Sequence, residues 1–293
     1  MERKLVKLGR HSLASTIPNR WIQKHNLKKG DKISFTEVEN KLLLTPLNEV
    51  YEKKLVFNVN SPKIEYVWRI MQPIYTSGYD EVVLKFSDRK TLPIIEECTN
   101  LLIGFEIIKV DENQVIIKSV SKNLDEEFHT ILRRVFLIVK QMLDIIYEIF
   151  REKNRKRFEE IYTLEQTVNK YTIFLKRIIN RQGYKYHHYT YQIVTFLELA
   201  ANHLEYMRRY FSKEKKATFD KEVLKELFKL KNFSDEVYEL YYNYSDEKFR
   251  WIAEEQPHFI YFKKIKDITI KENLVAFSEY FVQIARISVA LNL

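Results

Sequence analysis

Glycine and proline are spread so unevenly along this chain of 293 residues that they divide it into two folding regimes. Five of the six prolines (Pro18, Pro46, Pro62, Pro73, Pro93) and four of the five glycines (Gly9, Gly30, Gly78, Gly104) precede residue 122. Only Gly183 and Pro257 follow. Glycine supplies positive φ at turns, and proline fixes φ while removing a donor, so both punctuate short elements. The first part therefore reads as strands, turns and short helices. Beyond it, apolar residues recur at three- and four-residue spacing, as in Leu197, Ala200, Ala201, Leu204 and Met207, the pattern of long packed helices. The expected class is multidomain α+β, with parts at residues 1–47, 48–121 and 122–293.

In the first part Lys4-Leu5-Val6-Lys7-Leu8 alternates as a strand and Gly9-Arg10-His11 breaks it. Ala14 to Ile17 follow, Pro18 opens a short helix over Asn19–Asn26, and Lys29-Gly30-Asp31 turns into Lys32-Ile33-Ser34-Phe35. Glu39-Asn40 then separates that strand from Leu42-Leu43-Leu44. Residues 50–121 read as βαβαββ. Strands are expected at Lys53–Val59, Glu81–Phe86, Phe105–Val110 and Gln114–Val120. Helices are expected from Ser61-Pro62 to Ser77 and from an Asp88 cap to Leu102, ended by Gly78 and Gly104. This module shows no phosphate-cradling glycine loop and no clustered polar constellation. About six helices are expected after residue 122, starting near Leu124, Lys156, Tyr186, Thr218, Ser245 and Ile268, which suits two three-helix units at 122–214 and 215–293.

Charge is concentrated. Residues 1–32 hold nine basic side chains (Arg3, Lys4, Lys7, Arg10, Arg20, Lys24, Lys28, Lys29, Lys32) against Glu2 and Asp31, so this stretch carries +7 of the net +9. Such a local excess is the electrostatic footprint of a polyanion binder. The later basic run from Arg151 to Arg157 reads instead as a link between two helices. A single cysteine, Cys98, excludes an intrachain disulfide and reads as a packed helical residue. No leading signal peptide is visible, and the most apolar helical stretch, Val135–Phe150, is interrupted by Lys140, Asp144 and Glu148. A cytoplasmic protein is expected.

The strings Leu8-Gly9, Ile17-Pro18-Asn19-Arg20-Trp21 and Leu27-Lys28-Lys29-Gly30-Asp31 resemble the AbrB/MazE/SpoVT group of swapped-hairpin DNA-binding domains. The resemblance implies a β-barrel completed by two copies of the chain, hence a homodimer. It also implies double-stranded DNA as partner, with Lys4, Lys7, Arg10, His11, Arg20 and Lys24 as contacts. Most of these would bind phosphates, and Arg10 and Arg20 base edges.

Across the longer chain the order of parts resembles archaeal phosphate-uptake regulators of the PhoU-like class that carry an N-terminal AbrB-type domain. Local strings carrying this are Tyr75-Thr76-Ser77-Gly78-Tyr79-Asp80, Leu101-Leu102-Ile103-Gly104-Phe105-Glu106-Ile107-Ile108 and Phe196-Leu197-Glu198-Leu199-Ala200-Ala201-Asn202-His203. PhoU relatives hold metal clusters through Glu-x-x-x-Asp motifs on adjacent helices. Here the matching positions read Glu165-x-x-x-Asn169 and Glu198-x-x-x-Asn202, with Glu279-x-x-x-Gln283 as a third. An amide replaces the second carboxylate in each, removing negative charge from the ligand set. Either a single weakly held divalent ion sits between Glu165 and Glu198, or the four residues form an ordinary polar network. Charge count favours the network, and no cofactor is expected. His187, His188 and His203 do not restore the site.

Nothing in the chain matches a nucleophile elbow, a zincin motif, a phosphate-binding lysine loop or a triad, so an enzyme is not expected. Glu254-Glu255 and Asp125-Glu126-Glu127 read as solvated helix ends, and Tyr238, Tyr241, Tyr242 and Phe249 as a packing stripe. The leading expectation is a DNA-binding transcriptional regulator in phosphate homeostasis whose helical part senses a signal. The alternative is a PhoU-like adaptor that docks on a phosphate transporter or sensor component. A MazE-type antitoxin fits less well, because about 250 residues of foldable sequence follow the basic segment.

Overall fold

The computed structural model describes residues 2–38, 40–47, 52–120, 127–182, 188–214, 219–259, 262 and 264–292; the side chains of residues 38 and 255–259 are not described. Glu39, Gly183, His187, residues 215–218 and the expected module boundary with its Asp125-Glu126 pair lie outside the described residues. The chain divides into two compact units, Met1–Glu52 and Lys53–Leu293.

In the first unit, β1 (Val6–Lys7) pairs antiparallel with β2 (Leu13–Ala14), Val6 opposite Ala14. Gly9 sits in their turn at φ +79°, the left-handed region where a side chain is strained. Leu8 N–H donates to Ser12 O at 2.9 Å across the turn. Pro18 precedes α1 (Asn19–Lys24), and its carbonyl accepts from Trp21 and Ile22 N–H. Asp31 closes the next turn by accepting from Lys28 N–H at 2.7 Å. Then β3 (Ile33–Val38) and β4 (Lys41–Pro46) form a hairpin in register from Ile33↔Pro46 to Val38↔Lys41. No described side chain of this unit is buried. Leu5, Leu8, Leu13 and Phe35 are 60–66% exposed. The two hairpins thus have apolar side chains without an interior to put them in.

The second unit opens with a four-stranded sheet: β5 (Lys54–Val59), β6 (Glu81–Phe86), β7 (Phe105–Val110) and β8 (Gln114–Ser119), ordered β5-β6-β8-β7. β5 and β6 run parallel because α2 (Ile64–Thr76) connects them; the other pairs are antiparallel. Alternation puts Val82, Leu84, Phe86, Val115 and Ile117 in the core beneath α2 and α3 (Thr91–Asn100). Both helices begin later than the sequence suggests. Lys63 rather than Ser61 precedes α2, and Asp88 caps a turn, accepting from Lys90 N–H at 2.9 Å, before α3 starts.

The bundle follows as α4 (Phe128–Glu152), α5 (Phe158–Arg181), α6 (His188–Lys213), α7 (Lys221–Tyr242), α8 (Asp246–Phe259) and α9 (Ile268–Ala290). Nine α-helices are thus formed among the described residues, more than the six expected for the bundle, since α1–α3 lie before it. α6 packs against α4, α5 and α9, and its Leu197, Ala200, Ala201, Leu204 and Met207 are fully buried. The tyrosine stripe is packing: Phe136 of α4 meets the rings of Tyr238, Tyr241 and Tyr242 at 5.2–5.9 Å. Between α4 and α5, Lys153 turns left-handed at φ 54° and Arg155–Arg157 form one 3-10 turn. Arg155 donates to the carbonyls of Phe211 and Glu214 at the end of α6, and Arg157 pairs with Glu148 and Glu160. The basic run is therefore an ordered corner.

Sheet layer and bundle share one core and one polar clamp. Arg177 of α5 is 4% exposed, donates to Tyr75 O at 2.8 Å, and lies 4.8 and 4.9 Å from the centres of the Tyr75 and Phe105 rings. Arg181 pairs with Asp80, which also accepts from Lys53 N–H at 3.0 Å. Asn180 donates to Thr76 O at 2.8 Å. Gly78, at φ +80°, lets α2 end directly under Arg181.

Candidate nucleic-acid interface and polar sites of the helical unit

In the first unit the structure places Lys4 ahead of β1, Lys7 within it, and Arg10 and His11 on the turn to β2. Arg20 and Lys24 stand one helical turn apart on α1, hence on one face. All six are exposed, and none has a hydrogen-bond or ion-pair partner among the described residues. Cations left solvated on a surface of excess positive charge remain free to meet phosphates. The arrangement that leaves them free also leaves the apolar side chains Leu5, Leu8, Leu13 and Phe35 exposed.

Residues 6–52 match the family model for antidote-toxin recognition MazE, a bacterial antitoxin. The match ends with the first unit. It covers that unit and not the rest of the chain. No curated protein and no solved structure matches the chain.

Of the amide-substituted positions on the facing helices α5 and α6, Glu165 and Asn169 pair as the motif spacing suggests, whereas Glu198 and Asn202 do not. Glu165 is 5% exposed; its Oε1 accepts from Asn169 Nδ2 at 2.6 Å and its Oε2 from Gln166 Nε2 at 2.7 Å. Burial pushes its carboxyl pKa up, and Glu205 of α6 adds to the rise, while the two amide donors and Arg209 oppose it. Glu198 is engaged by Lys176 Nζ, a partner 22 residues away in sequence. His203 Nδ1 lies 2.8 Å from Asn273 Oδ1 on α9. Glu279 is exposed. Asn202, half-buried, has no side-chain hydrogen bond among the described residues. Among the described residues no group of three His, Cys, Asp or Glu side chains is placed to hold a metal ion.

Two features stand outside the motifs of the sequence. The first is Glu205, 1% exposed, which takes both Arg208 (Nε and Nη2, each 2.7 Å) and Arg209 (Nε, 3.0 Å). Two successive arginines on one buried acid form a charge-assisted anchor, and that acid shares the α5–α6 seam with Glu165. The second corrects the expectation that the α/β module lacks a polar cluster. The ends of β5 and β6 and the β7–β8 turn bring Asn58, Asn60, Lys85, Arg89 and Asn113 around a 660 Å³ depression. All five side chains are exposed. Sequence spacing missed the cluster because the residues come from the ends of two strands and from a turn far apart in the chain. Cys98 is 1% exposed and burial pushes its thiol up to about 11, so it is packed. No helix among the described residues is long and apolar enough to cross a membrane.

Proposed function

We propose that the protein is a homodimeric DNA-binding transcriptional regulator whose second unit receives the controlling signal. The observation that carries this is the first unit itself. It matches the MazE family model, buries no described side chain, and holds six cations with no partner among the described residues. A unit of this size that hides nothing needs a second copy for a core, and an isologous pairing doubles the basic face. Lys4, Lys7 and Lys24 would set register on the phosphates, while Arg10 and Arg20 present guanidinium forks to base edges. The protein would act in the cytoplasm and not as an enzyme.

A role in phosphate uptake rests on the PhoU-like strings alone, around Tyr75–Asp80, Leu101–Ile108 and Phe196–His203. In that setting a phosphate transporter or sensor component would be a further partner. The description of the matched family favours a second reading, an antitoxin that recognises a toxin protein. A second unit with a large core of its own speaks for more than toxin neutralisation.

Duplex binding followed by fluorescence anisotropy across a salt series tests the reading. The affinity should fall with a log–log slope of about −0.9 per phosphate contact, and Arg10→Ala/Arg20→Ala should abolish operator selection while light scattering still reports a dimer. A monomer at micromolar concentration, or salt-independent weak binding, would sink the proposal and leave the adaptor reading.

A further inference from the structure

Between the sheet layer and the bundle lies a cavity of 380 Å³, walled by α2, the end of α3, α5 and α6. The apolar part of its wall is Ile64 and Trp68 from α2, Leu101 just past α3, and Ile173 from α5. Ile64 and Leu101 remain 39% and 43% exposed, large aliphatic side chains around a concavity and facing water. Apolar surface gathered at a concave site marks a binding surface more often than scattered exposure does.

Four charged groups line the cavity: Glu65, exposed at the start of α2, Glu165, Lys170 and Arg209. Glu165 lines it from within the core, and each of its oxygens accepts one amide hydrogen and keeps a further lone pair. No cation among the described residues contacts its carboxyl; the nearby Arg209 spends its Nε–H on Glu205 instead. Lys170 lines the same cavity, exposed and without an ion-pair partner among the described residues. A buried acid without a contacting cation and a solvated ammonium thus share one apolar hollow, and each gains from a ligand of opposite charge. A simple amine would leave Lys170 unanswered. A simple carboxylate would meet Glu165, and a wholly apolar molecule would strip water from both.

We propose that this cavity binds a small apolar zwitterion, an aliphatic or aromatic amino acid or close analogue. Its ammonium would sit on Glu165, its carboxylate on Lys170 with Arg209 at the rim, and its side chain between Ile64, Trp68, Leu101 and Ile173. The site gives the signal-receiving unit its signal and rests on that reading for its regulatory meaning alone. Its residues come from four elements, so no motif announces it. A bound ligand would brace α2 against α5 beside the clamp that Arg177 makes at the far end of α2.

Calorimetric titration of the full chain without DNA tests this, using L-phenylalanine, L-leucine, 3-phenylpropanoate, 2-phenylethylamine and L-serine. Phenylalanine or leucine should bind saturably and raise the melting temperature. Each singly charged analogue should bind roughly tenfold more weakly or worse, from loss of one charge-assisted bond. Serine should not bind. Leu101→Arg, at the exposed rim and away from the core, should abolish binding; Lys170→Glu should weaken it and Lys170→Arg retain it. No saturable binding of either apolar amino acid at millimolar concentration overturns the proposal, as does equal affinity for the deaminated analogue or indifference to both rim variants. A chain that binds phenylalanine and ignores DNA keeps this site and loses the regulator.

Discussion

Replacing Gly78 with alanine should loosen the joint between sheet layer and bundle through two separable effects. Gly78 sits at φ +80°, and an alanine held in that left-handed region costs about 1–2 kcal/mol. Its new Cβ would also stand 2.6 Å from Arg181 Cγ, inside any van der Waals contact, so Arg181 must move. Arg181 is 34% exposed and its partner Asp80 16%, so solvent screens the pair and its loss adds about 1 kcal/mol or less. The sum, about 1–3 kcal/mol, corresponds to a melting-temperature drop of roughly 3–10 °C for a unit of this size, read by scanning calorimetry. Arg181→Ala removes the obstructing Cγ, so in the double variant only the backbone cost and the lost ion pair remain. The double variant should then be no less stable than Gly78→Ala, a coupling of about 1 kcal/mol in the cycle. Strict additivity, or a Gly78→Ala cost within about 0.5 kcal/mol of zero, would refute the packing argument.

Glu165 makes stability depend on pH. Its folded pKa is raised, mainly by burial, so the native state keeps a proton that the unfolded chain releases once pH passes the usual carboxyl value. The group's contribution is therefore fully present in acid and declines as pH rises above about 4.5 toward the folded pKa. Glu165→Gln should gain on the parent as pH rises through that window in urea titrations; a parallel pair of curves would exclude the effect. Cys98 should resist a thiol-disulfide reagent at pH 8, where a pKa of about 11 leaves about one thiol in a thousand ionised and burial blocks access. Rapid stoichiometric labelling of the native chain would contradict its packing.

What the sequence disclosed depended on how local the determinant was. Gly78 ends α2 where a glycine should, because positive φ is a property of one residue, whereas α3 stops at Asn100 and Gly104 turns the chain three residues past its Leu101 cap. Helix starts drifted: Asp88 satisfies the turn before α3, and the residues that follow decide where the hydrogen-bonded ladder begins. Strand β1 shrank from the alternating Lys4–Leu8 to Val6–Lys7, since its partner among the described residues is the two-residue β2. At the polar seam, spacing tied Glu198 to Asn202, whereas the fold gives it Lys176 from the facing helix. Glu205, the most buried acid among the described residues, stands in no motif at all. Its partners Arg208 and Arg209 stand three and four residues along the same helix, so spacing contains the pairing, and only the burial of the acid comes from the packing around α6.

In the proposed homodimer the folding of the first unit, which buries no described side chain, is tied to abundance. The second unit carries its own core. A unit whose apolar side chains are covered only by another copy gains stability with chain concentration and loses it below a threshold. Thinning the protein would therefore silence the basic face before anything happens to the helical body. Gene dosage and proteolysis would then act as inputs alongside any small molecule, with a response to the square of concentration near that threshold.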